Sequence, residues 1–491
     1  MRKTLRLANA APERAPARRM AAAVLCAALA GCSIGKAPAG SDLVHQVMPA
    51  SLAPPPALWT ARTGETTAVP GEVSGGWLRS FQAPGLEELV WEALRYNVDY
   101  QIAAARLEQA AGYARLAGAA LMPQVNVAGR GSQGGGDADG LVGVRAAASW
   151  ELDIWGRVRY GRAAAEADYA SAEYDLRYAR ESLAALVGKS WFLATEARQQ
   201  RDLAREMIRA SEHLLALANE RARVGLGDDL EIAQAEASLA SARDTAQKLD
   251  TAAQQAVRAL ELLVGRYPKA ELEVPAQFVA MPGPVPIGLP SELLERRPDV
   301  AAAERRVAAA FDRVGEAKAA RLPRLSLTAN ISTVSSELFV LQNTDNPVYA
   351  VAGNLLAPIF DGGGLQTQVE IRTAQQKESL ARYAQVGARA FGEVETALSE
   401  EFSAEARAAF LARAIGENER ALAIAETRYR IGSADLRAVE QQKLALAAAR
   451  SQQLRVEAER RVQRVNVHLA LGGNFEHPEA AAVAYPVKSG R

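Results

Sequence analysis

The sequence predicts a mainly α-helical chain with a small transmembrane β part, built from two copies of one half. Roughly a fifth of the 491 residues are alanine and only 6% are aromatic, which favours long, closely packed helices over a sandwich or a doubly wound sheet. From Gly156 to Gly225, and again from Gly363 to Gly432, no proline interrupts a helical pattern. Such a helix would reach roughly 100 Å, far beyond the needs of a compact domain.

The duplication is visible when the sequence is aligned with itself, the step that decides architecture in repeat proteins. The offset is 200 residues at first and 207 further on, and the difference falls in a loop-rich region. The matching points are residues 120–127 with 320–327, Gly156 with Gly363, residues 223–225 with 430–432, and residues 263–265 with 470–472.

Each half reads as a short helical segment, a β-hairpin and two long helices. A proline ends the short segment, and alternation of apolar and polar residues then indicates a strand. A turn-rich stretch and a second strand follow, so the chain has four strands. The predicted helical segments are residues 86–120 and 291–320, and the predicted hairpins are residues 124–152 and 325–359.

The return helix of the first half carries five heptads with apolar a and d positions, which predicts coiled-coil packing. The corresponding register in the second half is broken by polar side chains, so that helix is expected to face a partner or a water-filled lumen more often. The a positions are Ile232, Leu239, Ala246, Ala253 and Leu260; the d positions are Ala235, Ala242, Leu249, Ala256 and Leu263; the interrupting residues are Gln442, Gln453, Arg460 and Gln463.

The N-terminus reads as a processed segment. Six basic residues precede an apolar stretch at 20–30, which is too short to span a bilayer but suits a signal peptide. Gly31 followed by Cys32 resembles the bacterial lipobox, in which cleavage precedes the cysteine and its thiol is acylated. This implies diacylglycerol and palmitoyl groups on Cys32; an ordinary signal peptide with an incidental cysteine is the alternative. The second cysteine, Cys26, would leave with the signal.

Four strands cannot form a closed barrel, and open strand edges are not tolerated in lipid because each backbone polar group needs a partner. Three chains would supply twelve strands, enough for a barrel with a lumen. The same trimer would gather twelve helical strands into a cylinder. If the hairpins are membrane strands, the predicted assembly is therefore a trimeric 12-stranded barrel continuous with an α-helical periplasmic tunnel.

Several motifs resemble one known family, the TolC-like outer-membrane efflux factors, and in particular its lipoprotein OprM/NodT-type branch. The resemblance rests on residues 294–304, on the strand-to-helix junctions at 149–157 and 358–363, and on residues 428–432. It implies a homotrimer in the outer membrane of a Gram-negative cell, extending into the periplasm. It also implies a periplasmic adaptor, an inner-membrane pump of RND type, and passive export of small molecules.

The resemblance places adaptor contacts at the two helical-hairpin tips and an acidic gate just past the second tip. A glycine in a left-handed turn and a solvated helix face remain the structural alternatives. The position nine residues after Gly432, where the family often has Asp, is Gln441 in this chain. The implied tip residues are Arg223, Gly225, Asp228, Asp229, Tyr429, Arg430, Gly432 and Asp435; the candidate gate residues are Asp435 and Glu440.

The remaining patterns limit the function. The 57 basic and 57 acidic residues give no basic excess for nucleic acid, and no catalytic or cofactor-binding constellation appears. Trp150, Trp155 and Tyr349 either form an interfacial aromatic girdle or pack against neighbouring chains. Two other functions stay open: the outer-membrane component of type I protein secretion, and a lipid-anchored coiled-coil structural protein of the envelope.

The predicted domain organisation follows the repeats. It comprises a signal peptide at 1–31, a lipidated irregular segment at 32–82, a first repeat at 83–265, a proline-rich linker at 266–290, a second repeat at 291–472 and a tail at 473–491.

Overall fold

The structure is a computed structural model that describes residues 59–61, 68–69, 75–131, 142–225, 227–287, 292–335 and 348–475. Gly31, Cys32 and the predicted signal peptide lie outside the described residues. The chain divides into two compact units. Among the described residues, the sheet unit comprises 109–131, 142–170, 305–335 and 348–381, and the helix unit comprises those up to Glu108, those from Ser171 to Glu304, and 382–475.

The elements follow the predicted order of short helices, hairpin and long helices, twice over. The helices are α1 (Trp77–Ser80), α2 (Pro84–Tyr96), α3 (Val98–Ala119), α4 (Arg157–Arg223), α5 (Asp229–Leu263), α6 (Leu293–Arg296), α7 (Pro298–Ala319), α8 (Gly364–Arg430) and α9 (Leu436–Ala470). The strands are β1 (Ala68–Val69), β2 (Gln124–Gly131), β3 (Val142–Leu152), β4 (Val285–Pro286), β5 (Arg324–Ser335) and β6 (Val348–Leu356).

The internal duplication is confirmed, because equivalent helices begin and end at equivalent positions. Helices α3 and α7 differ by 200 residues at both ends. The pairs α4/α8 and α5/α9 differ by 207 residues at both ends. The mainly helical fold class with four hairpin strands is confirmed with it.

The predicted continuous helix at 86–120 is wrong in one respect, because the chain breaks at Asn97. Its backbone is extended, with φ −66° and ψ 126°. The Asn97 side chain donates to the carbonyl O of Leu263 (3.0 Å) and accepts from the amide of Tyr100 (3.0 Å). In the second repeat the equivalent break is at Arg297, where the following proline disfavours helical geometry. Both breaks cap the carboxyl end of a return helix.

The sheet unit holds a four-stranded antiparallel sheet in the order β2-β3-β5-β6. The two hairpins meet through β3 and β5, which pair from Val142↔Ser335 to Leu152↔Leu325. Within the described residues, the outer edges of β2 and β6 have no strand beside them. Strand β6 ends at Leu356, earlier than the predicted end near 359. None of the described helices is both long and apolar enough to cross a membrane.

The helix unit has an apolar core around α1 and the middle of α4, with Trp77, Phe81, Trp191, Phe192 and Leu260 among its buried side chains. All ten heptad positions predicted for α5 are buried or partly buried, as expected for a packed seam. The short strands β1 and β4 pair in parallel within this unit.

Within one chain α9 is the more buried of the two return helices, while the expectation that it faces a partner or a water-filled lumen stays a prediction. Helix α9 buries twelve residues, whereas α5 buries six. Its polar side chains are buried because they find internal partners. Arg464 donates to Glu401 (2.5 Å) and to the carbonyl O of Pro282 (2.9 Å), and Arg461 donates to that of Val279 (2.6 Å). Carbonyl groups of the proline-rich linker thus accept hydrogen bonds from the polar face of α9.

Candidate functional site

Each pair of long helices ends in a short tip with the same construction. Gly225 and Gly432 follow the ends of α4 and α8 with φ of +74° and +77°, the left-handed region that glycine enters without strain. The Gly432 amide donates to the carbonyl O of Tyr429 (3.0 Å), and the Ser433 amide donates to that of Arg428 (2.9 Å). The glycines therefore have the structural role of closing the helices, whatever else the tips contact.

An aspartate then starts each return helix. Asp228 accepts from the amide of Glu231 (2.9 Å), and Asp435, at the equivalent position, accepts from the amide of Ala438 (3.0 Å). Both carboxylates satisfy amides that have no helical partner and both face the positive end of a helix dipole. Their first role is therefore helix capping, which the sequence reading did not assign to them.

Seven of the eight predicted tip residues are exposed in the chain, which is compatible with contact to another protein. The exception is Tyr429, which is fully buried. Apolar side chains accompany the exposed polar ones, because Val224, Leu230 and Ile431 are 56%, 61% and 73% exposed. The exposed members of the predicted set are Arg223, Gly225, Asp228, Asp229, Arg430, Gly432 and Asp435.

Tyr429 joins the two tips, and its side chain is not available to a partner in this chain. The Arg221 guanidinium lies over its ring and donates to its carbonyl O (2.6 Å). The Tyr429 hydroxyl lies 3.1 Å from a carboxylate oxygen of Glu231, to which it donates, and Arg221 is 3.6 Å from the same carboxylate. Residues from α4, α5 and α8 therefore form one bridge, which we call the tip bridge.

Burial raises the pKa of Tyr429 to about 12, and the nearby Glu231 carboxylate acts in the same direction. The hydroxyl therefore stays protonated at neutral pH and serves as a donor. The sequence reading missed Arg221 and Glu231. The duplication was the one signal that could have pointed to Arg221. At the offset of 207 residues Tyr429 is equivalent to Ala222, the residue next to Arg221, so the two residues occupy neighbouring positions in the two tips.

The candidate gate residues lie in different surroundings. Asp435 is exposed, while Glu440 is partly buried and lines a groove of about 620 Å³ between α4, α5 and α9. In that groove Lys443 donates to the hydroxyl of Ser211 (2.7 Å). Burial lowers the pKa of Lys443, and the Glu440 carboxylate partly opposes this. Within one chain, the negative charge of Glu440 is therefore partly offset by the neighbouring cation Lys443.

The two tryptophans among the aromatic residues predicted near the strand ends have hydrogen-bond partners within the sheet unit. Trp150 donates from Nε1 to the carbonyl O of Leu121 (2.9 Å), and Trp155 donates to that of Pro323 (2.7 Å). Trp150 is nevertheless 40% exposed and Tyr349 is 79% exposed. Both readings of these residues, girdle and packing, therefore remain predictions.

The stretch at 294–304 that carried the family resemblance places an ion cluster in the helix unit. Arg297 is 1% exposed and donates to Asp299 (2.8 and 3.0 Å) and to Glu393 (2.7 Å). It also donates to the carbonyl O of Ala470 at the end of α9 (3.2 Å). Although burial opposes the charge, these carboxylates hold the pKa of Arg297 above its usual range. The motif therefore has a structural role, fastening α7 to α8 and α9.

Comparison with known proteins agrees with this fold. Residues 89–266 and 289–473 match the family of outer membrane efflux proteins. The pyoverdine export outer membrane protein OpmQ of Pseudomonas aeruginosa is 30% identical over 416 residues, covering 82% of this chain and 87% of OpmQ. The cation efflux system protein CusC of Escherichia coli is 30% identical over 457 residues, covering 91% and 97%.

Solved structures give the same result. The outer-membrane channel OprN superposes with a TM-score of 0.77 at 26% identity, covering 87% of this chain and 99% of OprN. The outer membrane protein VceC of Vibrio cholerae superposes with a TM-score of 0.76 at 25% identity, covering 82% and 100%.

The fold, the duplication and the paired tips define an outer-membrane channel-tunnel of the kind that completes tripartite efflux systems. The chain belongs to the outer membrane efflux protein family, whose members work as trimers in the outer membrane with an adaptor and an inner-membrane pump. The resemblance to TolC-like efflux factors is thereby confirmed. Its lipoprotein branch stays a prediction.

Proposed function

We infer that three copies of this chain form a passive export duct for small molecules. The observation that carries the proposal is a four-stranded sheet whose outer strands, β2 and β6, have open edges within the described part of the chain, joined to long helices that end in paired tips. Open strand edges need partners in lipid. Pooling four strands from each of three copies would close the sheet, and the long helices would continue it into the periplasm as a tunnel.

The tips are proposed as the docking rim for a periplasmic adaptor. The exposed apolar side chains Val224, Leu230 and Ile431 stand among exposed charges, a composition suited to a helical partner. The contact residues assigned to this rim are Arg223, Gly225, Asp228, Asp229, Arg430, Gly432 and Asp435. Tyr429 supports the rim from inside through the tip bridge.

The pump is proposed to be of RND type, and the cargo to be small molecules. The relatives OpmQ and CusC are named for pyoverdine export and cation efflux, which supports small cargo over protein secretion. The duct itself would perform no chemistry and hold no cofactor. The proposed domain organisation remains that of the two repeats, 83–265 and 291–472, with 266–290 as the linker between them.

Two finer features complete the proposal. Cys32 would carry the diacylglycerol and palmitoyl groups after cleavage behind Gly31, anchoring the N-terminal segment in the outer membrane. Asp435 and Glu440 would contribute acidic side chains at the tunnel entrance, where rings of carboxylates favour cations.

The duct is tested by measuring mass and conductance on the detergent-extracted protein. A trimer that conducts ions in planar bilayers supports the proposal, and a monomer without conductance contradicts it. For the anchor, the wild-type chain should incorporate radiolabelled palmitate and Cys32→Ser should not. Label that persists in Cys32→Ser would refute Cys32 as the acylated residue.

A further inference from the structure

The groove between α4, α5 and α9 lies entirely within the helix unit and has the size of a small-molecule site. Its volume is about 620 Å³, inside the range of about 300–1,000 Å³ that is typical of ligand pockets. All three helices belong to one chain, so the walls of the groove come from a single copy. None of the tip-bridge residues lines it, and it is therefore a candidate site separate from that bridge.

The walls of the groove are mostly apolar. Leu203 and Met207 of α4, Leu249 of α5 and Leu444 of α9 all line it, and Leu444 is 65% exposed in the chain. Apolar surface of this kind gains free energy when an apolar body covers it, and the flexible thioether of methionine adapts to bodies of different shape. The walls therefore favour a ligand with an apolar body.

One side of the groove carries a buried cation with spare hydrogen-bond donors. Lys443 is 7% exposed and donates to the hydroxyl of Ser211 (2.7 Å), which is its one hydrogen-bond partner among the described residues. An ammonium group has three N–H donors, so two of them are left for another acceptor. A buried cation that forms no ion pair is costly, and an acceptor placed in the groove would reduce that cost.

A carboxylate on the same helix has the opposite requirement. Glu440 precedes Lys443 by three residues, so both side chains lie on one face of α9. Its Oε1 atom is buried and has no hydrogen-bond partner within the described part of the chain. Rotation about the last side-chain torsion, which is broad in glutamate, can turn either oxygen toward a donor in the groove. The groove thus offers donors and an acceptor side by side.

The duplication argues that this polar pair is not a requirement of helix packing. At the offset of 207 residues, Glu440 and Lys443 correspond to Ala233 and Glu236 on α5. Both equivalents are exposed, and neither reproduces the buried cation beside an acid. The construction that the two repeats share therefore forms without the pair, and the pair is a feature of this groove alone.

We propose that the groove binds uncharged amphipathic small molecules whose head group carries both a hydrogen-bond donor and an acceptor, such as an amide, a sulfonamide or a phenol. The head-group donor binds Glu440, the acceptor receives an N–H of Lys443, and the apolar body lies against Met207 and the leucines. The opposite charges of the two side chains offset each other, so the groove has little net attraction for an ion. The inference goes beyond the duct and stands beside the entrance role proposed for Glu440.

Dansylamide is a suitable probe, because it joins an uncharged naphthalene body to a sulfonamide and its fluorescence rises away from water. Titrated into the full-length, detergent-extracted protein, it should give a saturable signal. Ala237→Phe fills the groove from α5 and should abolish that signal. Ala240→Phe changes another exposed alanine of α5, one that does not line the groove, and should bind like the wild type. Probe dissolved in detergent contributes equally to all samples and does not saturate.

Two further variants test the head group. Glu440→Ala and Lys443→Met each remove one hydrogen bond, and each should weaken binding about fivefold to tenfold. Glu236→Ala removes an exposed acid that does not line the groove, and it should leave the affinity unchanged. N,N-dimethyl-1-naphthylamine has the same ring without the sulfonamide. As a competitor it should bind more weakly than dansylamide and respond to neither head-group variant.

The outcomes are distinct. Loss of binding in Ala237→Phe together with weaker binding in Glu440→Ala supports the proposal. A wild type without saturable binding, or an Ala237→Phe variant that binds equally well, overturns it. Binding that Ala237→Phe abolishes but neither Glu440→Ala nor Lys443→Met weakens also overturns it, and indicates an acyl chain or detergent as the occupant.

Conductance of the same wild-type preparation in planar bilayers separates this proposal from the duct. A conducting trimer that gives no saturable dansylamide signal overturns the groove as a ligand site and leaves the duct standing. A protein that binds dansylamide with the expected response to the variants but does not conduct leaves the groove standing and contradicts the duct.

Discussion

The guanidinium carbon of Arg221 lies 4.3 Å from the centre of the Tyr429 ring. Arg221 belongs to the last turn of α4 and Tyr429 to the last turn of α8, so the contact joins the two repeats at their tips. Around it, Leu214, Ala218 and Leu436 form a small apolar core that is separate from the main one. The two tips of a chain are therefore expected to loosen together.

Replacing Tyr429 tests this coupling. Tyr429→Phe removes one hydrogen bond and should cost about 1 kcal/mol of tip stability, whereas Tyr429→Ala empties the small core and should cost about 3–5 kcal/mol. Amide hydrogen exchange is the measurement, and both tips should exchange faster. Tyr267→Phe, at a side chain that is 79% exposed, is the control and should change nothing. If only the α8–α9 tip responds to Tyr429→Ala, the tips are independent.

Asp435 caps α9 and is proposed to place a negative charge at the tunnel entrance, and two variants separate the two roles. Asparagine also caps helices, so Asp435→Asn should keep the first turn of α9 protected from exchange while removing the charge. Asp435→Ala should lose both, at a cost of about 1 kcal/mol to the helix end.

The readouts for Asp435 are exchange at Ala438 and cation selectivity in planar bilayers. If Asp435 lines the entrance, both variants should lower selectivity equally. Unchanged selectivity in both variants would leave Asp435 with the capping role alone. The matched control is the equivalent cap in the first repeat: Asp228→Ala should speed amide exchange at Glu231 and leave exchange at Ala438 unchanged.

Much of the fold could be predicted because the residues that end its helices act through their own local backbone geometry. Pro123 and Pro323 disfavour continued helix, and Gly225 and Gly432 end helices because glycine enters the left-handed region. The spacing of 69 residues from Gly156 to Gly225 recurs from Gly363 to Gly432 and reveals the duplication without any tertiary information. The break at Asn97 could not be predicted in this way. It exists because its side chain reaches the carbonyl O of Leu263, 166 residues away.

The candidate functional residues likewise divide into those set by local sequence and those that depend on distant contacts. The positions of the tips follow from the glycines, but the burial of Tyr429 depends on Arg221, 208 residues earlier in the chain. The burial of Arg461 and Arg464 on α9 could not be predicted for a similar reason. The carbonyl groups that receive Arg461 and Arg464 belong to the linker, whose path no helical pattern reveals.

Two glycines at different positions should respond to alanine with opposite signs. Gly472, with φ +69°, follows α9, and a Cβ there would lie 3.2 Å from the backbone of Arg296. Gly472→Ala should therefore lower the free energy of unfolding by at least about 1 kcal/mol. Gly416 lies inside α8 with open space around it, so Gly416→Ala should raise stability by about 0.5–1 kcal/mol. Thermal unfolding midpoints measure both, and a shift of the same sign would contradict the reading.

Acid should destabilise the helix unit through His468. Its imidazole is buried, stacks on Trp77 with ring centres 5.7 Å apart, and lies near the cation Arg464. Burial, reinforced by Arg464, lowers the pKa of His468 to about 3. Between about pH 6.5 and about pH 3, the histidine is protonated in the unfolded chain, where its pKa is about 6.5, but stays neutral in the folded chain. Stability from this group is therefore complete above pH ~6.5 and lost as the pH falls toward about 3.

The expected size is about 1.4 kcal/mol for each pH unit below 6.5. Denaturant unfolding at pH 7.5 and 5.0 measures it, and His468→Phe, which keeps an aromatic ring against Trp77, should remove about 2 kcal/mol of the difference. His213 is exposed, so His213→Gln is the control and should leave the pH dependence unchanged. If His468→Phe retains the full acid sensitivity, the loss of stability comes from other groups, and His468 is not the residue that unfolding protonates.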